Sequence, residues 1–204
     1  YSNFTKEVEK AKKDEFHTVD LTDKKYLVTG ASSGIGKDIC KLLLQQNAKV
    51  IMVSRSVENL SNALEDIGKQ LERSDLESMI QMEALDLSDI ESVWHFTQKM
   101  KQTEEKLDGI INNGGALPTY QVLKKYKEQD IEETIAVHLI SPFIICHELH
   151  PLVQKAKGRI LNNTSAGAYT QPLNMPLLKC NFLWCLKKDN VYHDGSLVYA
   201  QCKR

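Results

Sequence analysis

Short unbroken apolar runs along the chain are each followed by a stretch in which apolar residues recur with a helical period. The runs predict strands at Tyr26–Thr29, Lys49–Ser54, Met79–Leu85, Gly109–Asn112 and Arg159–Asn163. The periodic stretches predict helices at Ile35–Gln46, Val57–Leu71, Ile90–Glu104 and Glu128–Leu149, with a further one starting near Ser196. Pro142 lies inside the fourth helix and is expected to kink or break it. Strand and helix alternate in the manner of parallel strands joined by right-handed crossovers. The predicted fold is therefore α/β, with a doubly wound parallel sheet.

Two segments depart from this alternation. Residues 1–23 are charged throughout and predict an amphipathic helical extension, leaving residues 24–204 as one domain. Residues 166–195 form a long connection without a clear period, and such connections are usually functional or mobile. Within it, "MPLLKCNFLWCL" (Met175–Leu186) is apolar. It reads equally as a lid or docking surface and as a loop packed over the core.

Composition narrows the function classes. A chain of 204 residues, 42% hydrophobic, can bury one sizeable core. With 26 basic and 27 acidic residues well mixed, nothing argues for nucleic acid or an anionic membrane as partner. The apolar stretches are interrupted by Lys, Asn or Pro before they could cross a bilayer, so no transmembrane segment is expected. Cys40, Cys146, Cys180, Cys185 and Cys202 are odd in number and scattered, as reduced thiols of an intracellular protein, cytoplasmic or organellar, would be. Cys146 and His150 have metal-ligand spacing, but without further ligands they read as helix surface.

The chemistry begins at "VTGASSGIG" (Val28–Gly36), between a predicted strand and a predicted helix. Gly30, Gly34 and Gly36 let the backbone approach a pyrophosphate, and the helix N-terminus offers free N–H groups. Ser32, Ser33 and Ile35 complete this candidate cofactor loop. After the second strand, an acid would bind the ribose 2′-hydroxyl and an Arg would accept a 2′-phosphate. The sequence has Ser54 and Arg55 there, which favours NADP(H) over NAD(H) unless Arg55 is simply a solvated surface residue.

These residues resemble the short-chain dehydrogenase/reductase family, from about Lys24 to the end of the chain. Four ordered motifs carry the resemblance: "TGASSGIG", Asp86–Leu87 in "ALDLSD", "NNGGA" at Asn112–Ala116, and "ILNNTSAG" with "YAQCK". The resemblance implies a Rossmann-type fold and a nicotinamide nucleotide as partner. Asp86 and Leu87 would meet the adenine ring, and Asn113 and Gly114 would lie beside the nicotinamide. Tyr199, Lys203 and Ser165 would be catalytic. A neighbouring ammonium favours a phenolate, so Tyr199 would serve as general acid in carbonyl reduction. Lys203 would also hold the nicotinamide ribose, and Ser165 would hydrogen-bond the reacting carbonyl oxygen. The substrate would be a small carbonyl or lipid-like compound.

The sequence leaves the family pattern in three places. His138 stands where an Asn completes the catalytic group through a water relay, and it would either serve that relay or replace it. Gly114 replaces an Ala. The family continues with a further strand and a substrate loop, so the sheet is expected to be truncated after the fifth strand and the start of the catalytic helix. The chain is accordingly expected to be the ordered part of a longer protein, or a subunit covered by partners in a homo-oligomer or larger assembly. Two functions follow: an NADP(H)-dependent reductase, or a catalytically impaired subunit that binds a nucleotide or supports an assembly.

Overall fold

Strands β1 (Lys25–Thr29), β2 (Lys49–Ser54), β3 (Ile80–Ala84), β4 (Gly109–Asn112) and β7 (Arg159–Asn162) form one parallel sheet. Its strand order is β3-β2-β1-β4-β7. The computed structural model describes residues 19–117, 122–170, 172–173 and 195–203. Most of the expected N-terminal helix, the segment Met175–Leu186 and the thiols Cys180 and Cys185 lie outside the described residues.

Alternation along each strand explains the two layers of helices. Leu27, Ile51, Val53 and Ile110 point to one face and pack with Val93, Phe96 and Met100 of α3 (Ile90–Thr103) and Ile145 and Leu149 of α4 (Glu133–Ala156). Their neighbours Val28, Val50, Met52 and Ile111 point to the other face. There they meet Cys40 and Leu44 of α1 (Gly34–Gln45) and Leu60, Ala63 and Ile67 of α2 (Val57–Leu71). The order runs outward from β1 through β2 to β3, and in the other direction through β4 to β7. A crevice therefore opens where the carboxyl ends of β1 and β4 diverge, the usual ligand position in such sheets.

The fourth helix differs from its sequence prediction at both ends. Glu128–Glu132, expected to begin it, belong instead to an antiparallel hairpin of β5 (Leu123–Tyr126) and β6 (Gln129–Glu132). Lys127 takes the left-handed conformation at the turn, with φ of 53°. Glu132 then caps the helix, its carboxylate accepting from Ile135 N at 3.0 Å. The helix also runs beyond Leu149, through Pro151, to Ala156, where Lys157 ends it in a left-handed conformation.

Pro142 does not break the helix. It has no N–H for the carbonyl of His138, and the turn before it widens to π geometry over Ala136–Ile140. That widened turn carries His138. α4 is long and apolar enough to cross a membrane by length and composition, but Ile145, Leu149, Leu152 and Val153 are buried core and Glu148 pairs with Lys101. Its apolar character is accounted for by packing on the sheet.

Candidate active site

The glycine loop follows from β1. Gly30 and Gly34 take positive φ, 68° and 51°. A side chain on Gly30 would meet the Gly114 backbone at 2.8 Å, and one on Gly36 would clash with the Gly30 carbonyl oxygen. Glycine at these two positions is what lets loop, helix and the β4 exit close together. Ser33, at the N-cap of α1, makes no capping bond from its side chain, so the first amides of the helix remain open to a ligand.

Asn113 ties this loop to β4. Its side-chain amide donates to the carbonyls of Thr29 at 3.2 Å and Gly30 at 3.5 Å. Thr29 Oγ1 accepts from the amides of Asn113 and Gly114 at 3.0 and 2.9 Å. Asp86 is engaged in its own turn, accepting from the Ser88 amide and hydroxyl at 2.9 and 2.8 Å. The carbonyl of Leu87 accepts from Ser141 Oγ at 2.6 Å, which docks the Asp86–Leu87 loop on α4.

The opposite wall comes from β7, α4 and α5 (Gly195–Cys202). Lys203 directs its ammonium to the carbonyl of Asn163 at 2.6 Å and lies 6.0 Å from the centre of the Tyr199 ring. Burial lowers its pKa from the ordinary lysine value. Thr164 Oγ1 donates to the Lys203 carbonyl at 2.8 Å, holding the end of the helix. Ser165 Oγ accepts from Gly167 N at 3.1 Å.

His138 is buried beside Tyr199. Its Nε2 lies 2.7 Å from the carbonyl oxygen and 3.2 Å from the amide of Ala116, while Nδ1 is buried without a partner. The shorter contact is the better hydrogen bond, which places the proton on Nε2 and leaves Nδ1 a bare acceptor. Burial, reinforced by the Lys203 charge and opposed by the Ala116 bond, moves the His138 pKa down to about 4. The imidazole is neutral at physiological pH.

These two walls enclose one cavity of about 640 Å³. Gly30, Ser32, Ser33, Ile35, Arg55, Asp86, Leu87, Asn113, Gly114, His138, Ser165, Tyr199 and Lys203 all line it. Of the residues expected from sequence, Gly34 and Gly36 are not in its wall and act through the shape of the loop. The residues fit a dinucleotide: open helix amides and glycine backbone at one end, a lysine and a tyrosine at the other. Sequence reasoning missed Thr29, Asn163, Thr164 and Ala116, whose contributions are carbonyls, hydroxyls and amides reaching across the cavity. The one signal was the tandem Asn162–Asn163 closing an apolar strand at its carboxyl end, where a ligand crevice belongs.

Comparison with known proteins places the family and the fold. A family model described as short chain dehydrogenase matches residues 24–176. The chain is 29% identical over 187 residues to human dehydrogenase/reductase SDR family member 12, covering 91% of this chain and 54% of that protein. It is 34% identical over 155 residues to the short-chain dehydrogenase/reductase bet4 of Neocamarosporium betae, covering 74% and 43% respectively. The chain thus spans about half the length of these curated relatives. A Shigella flexneri chain described as a short chain dehydrogenase, solved in complex with NADP, superposes with a TM-score of 0.61. It is 22% identical, with 90% of this chain and 68% of that one covered.

Proposed function

The chain belongs to the short-chain dehydrogenase family, and on that premise we propose that it carries the cofactor-binding and catalytic part of an NADP(H)-dependent oxidoreductase interconverting a carbonyl and an alcohol. The observation that carries this reading is the convergence of Ser165, Tyr199 and Lys203 on the same cavity as the glycine loop. The open amides of α1 would hold the pyrophosphate, with Ser32, Ser33 and Ile35 beside them. Exposed Arg55, which makes no ion pair among the described residues, would accept the 2′-phosphate. The NADP bound to the Shigella relative supports the same choice.

The nicotinamide group, when bound, supplies the hydride. Tyr199 would give the carbonyl oxygen its proton, with the Lys203 ammonium 6.0 Å from the centre of its ring. Ser165 would orient the same oxygen by hydrogen bonding. His138, neutral and pinned to Ala116, would shape the wall beside Tyr199 and act in proton movement only as a hydrogen-bond partner, through the free Nδ1.

Fluorescence titration with NADPH and NADH, followed by turnover of generic aldehydes and ketones, tests the proposal. Tighter NADPH binding and turnover abolished by Tyr199→Phe are expected. Binding of NADPH with no turnover in any longer form of the chain would favour the nucleotide-binding subunit instead, and no binding of either nucleotide would overturn both readings.

A further inference from the structure

A line of amides crosses the sheet beneath the cavity. Asn113 stands at the exit of β4 and Asn163 at the exit of β7, adjacent strands whose last paired residues are Asn112 and Asn162. Asn163 Nδ2 donates to Asn113 Oδ1 at 2.9 Å. The direction of this bond is fixed by its surroundings. The Asn113 Nδ2 side faces two carbonyls, Thr29 and Gly30, so it must be the donor. Its oxygen is then left for Asn163, which can only donate to it.

The consequence falls on the main chain of Asn163. Its amide donates to the Asn112 carbonyl at 2.9 Å, and its side chain is tied to Asn113. With amide and side chain both held, the peptide that follows has its carbonyl set toward the cavity, where it accepts the Lys203 ammonium at 2.6 Å. Lysine has a long flexible stem and three donors, and without a fixed acceptor its head would wander through an open cavity. The next residue, Thr164, holds the Lys203 carbonyl. Both ends of Lys203 are therefore set by the two residues that leave β7.

We infer that Asn163 is a positioning residue: its bond to Asn113 fixes the carbonyl that places the Lys203 ammonium, and ties that placement to the glycine loop. Lys203 receives its chemical role from the function proposed above, but the way it is held does not depend on that function. The pair can be tested without turnover.

The test is a pH titration of Lys203 in the full chain, followed by NMR with 13C at the lysine ε-carbons, its signal identified by loss in Lys203→Arg. Asn163→Ala, Asn113→Ala and the double variant are compared, with Asn163→Ser as a second removal of the amide. Their fold is checked by cooperative thermal unfolding. Each single variant should displace the Lys203 midpoint by about half a unit or more, and the double variant should displace it no further, because either change breaks the same link. A midpoint unmoved by Asn163→Ala and Asn163→Ser, or displacements that add in the double variant, would overturn the inference. Absence of carbonyl reduction by the wild type would instead count against the proposed function and leave this result standing.

Discussion

The imidazole of His138 stands edge-on to the ring of Tyr199, with centroids 5.0 Å apart and planes at 89°. An edge-to-face contact of this kind packs the two rings without requiring charge on either. Protonation of His138 would bury a second N–H at Nδ1, where no acceptor lies, and would add a positive charge facing Lys203. The pair is therefore built around a neutral histidine.

This gives a pH dependence with a definite sign. The folded His138 pKa, about 4, lies below the value of about 6.5 expected when unfolded, so the unfolded chain binds more protons between these values. The stability associated with the neutral ring is present above pH ~6.5 and falls as pH drops toward ~4, by about 3 kcal/mol in total. Chemical unfolding of wild type and His138→Gln at pH 7 and pH 4.5 measures the difference. The wild type should lose more stability on acidification than the variant, and equal losses would show that His138 does not titrate on unfolding.

Two adjacent glycines should respond differently to alanine. At Gly115 a Cβ would lie 2.6 Å from Cε1 of His138, a buried ring held at Ala116. Gly115→Ala should destabilise the protein by about 1–3 kcal/mol, as overpacked cores do. At Gly114 the nearest atom, at 2.5 Å, is the methyl end of Leu87, which can rotate aside. Gly114→Ala should give the smaller loss. Paired denaturation midpoints decide it, and a larger loss at Gly114 would contradict the geometry.

Arg55→Ala should weaken NADPH selectively. A charge-assisted contact of this type contributes about 1.5–3 kcal/mol, so the NADPH dissociation constant should rise by about tenfold or more. NADH should bind as before. A parallel loss for both nucleotides would show that Arg55 acts on the loop and not on the 2′-phosphate.

The inner strands β1, β2 and β4 were legible because parallel strands are buried on both sides, and Val50–Val53 must read as unbroken apolar sequence. The β5–β6 hairpin was not. Its "LKKYKEQDIE" carries charges acceptable on a helix, and among its strand residues only Ile131 and Glu132 are buried, too short a pattern to show alternation. The helix α4 was expected to end at Leu149, but core contacts by Leu152 and Val153 carry it through Pro151 to Ala156. In the site, the glycine loop could be read because turn and helix geometry fix its spacing, whereas Ser165, Tyr199 and Lys203 came from the resemblance of their motifs to the short-chain dehydrogenase/reductase family. Asn163 could not, since its bond to a residue 50 positions away depends on strand order and its hold on Lys203 on a main-chain carbonyl.

Cys202 adjoins Lys203 in sequence yet should be chemically silent. Burial pushes its thiol up to about 12, and does the same for Cys40. Alkylation of the native protein at pH 8, read by peptide mass spectrometry, should leave both unmodified until denaturant is added. Rapid native labelling of Cys202 would mean that α5 opens readily.

That possibility points to the weakest part of the site. α5 spans eight residues, Gly195–Cys202, too few to persist in water without tertiary contacts. Val198 and Cys202 pack against Ile135 and Ile140, and Gln201 donates to the Pro172 carbonyl at 2.7 Å. At its end, the Thr164 hydroxyl donates to the Lys203 carbonyl and accepts the Ser165 amide at 2.6 Å. One hydroxyl thus joins the end of the helix to the backbone of Ser165. Thr164→Val keeps the shape of the side chain and removes both bonds. It should cost about 0.5–1.5 kcal/mol, since Thr164 is exposed and water takes over part of what the two bonds supply. The loss should be local, with hydrogen exchange accelerating over residues 195–203 while β1, β2 and β4 keep their protection. Uniform acceleration across the sheet would show that Thr164 supports the whole fold, and unchanged exchange in α5 would show that apolar packing alone holds Lys203 in place.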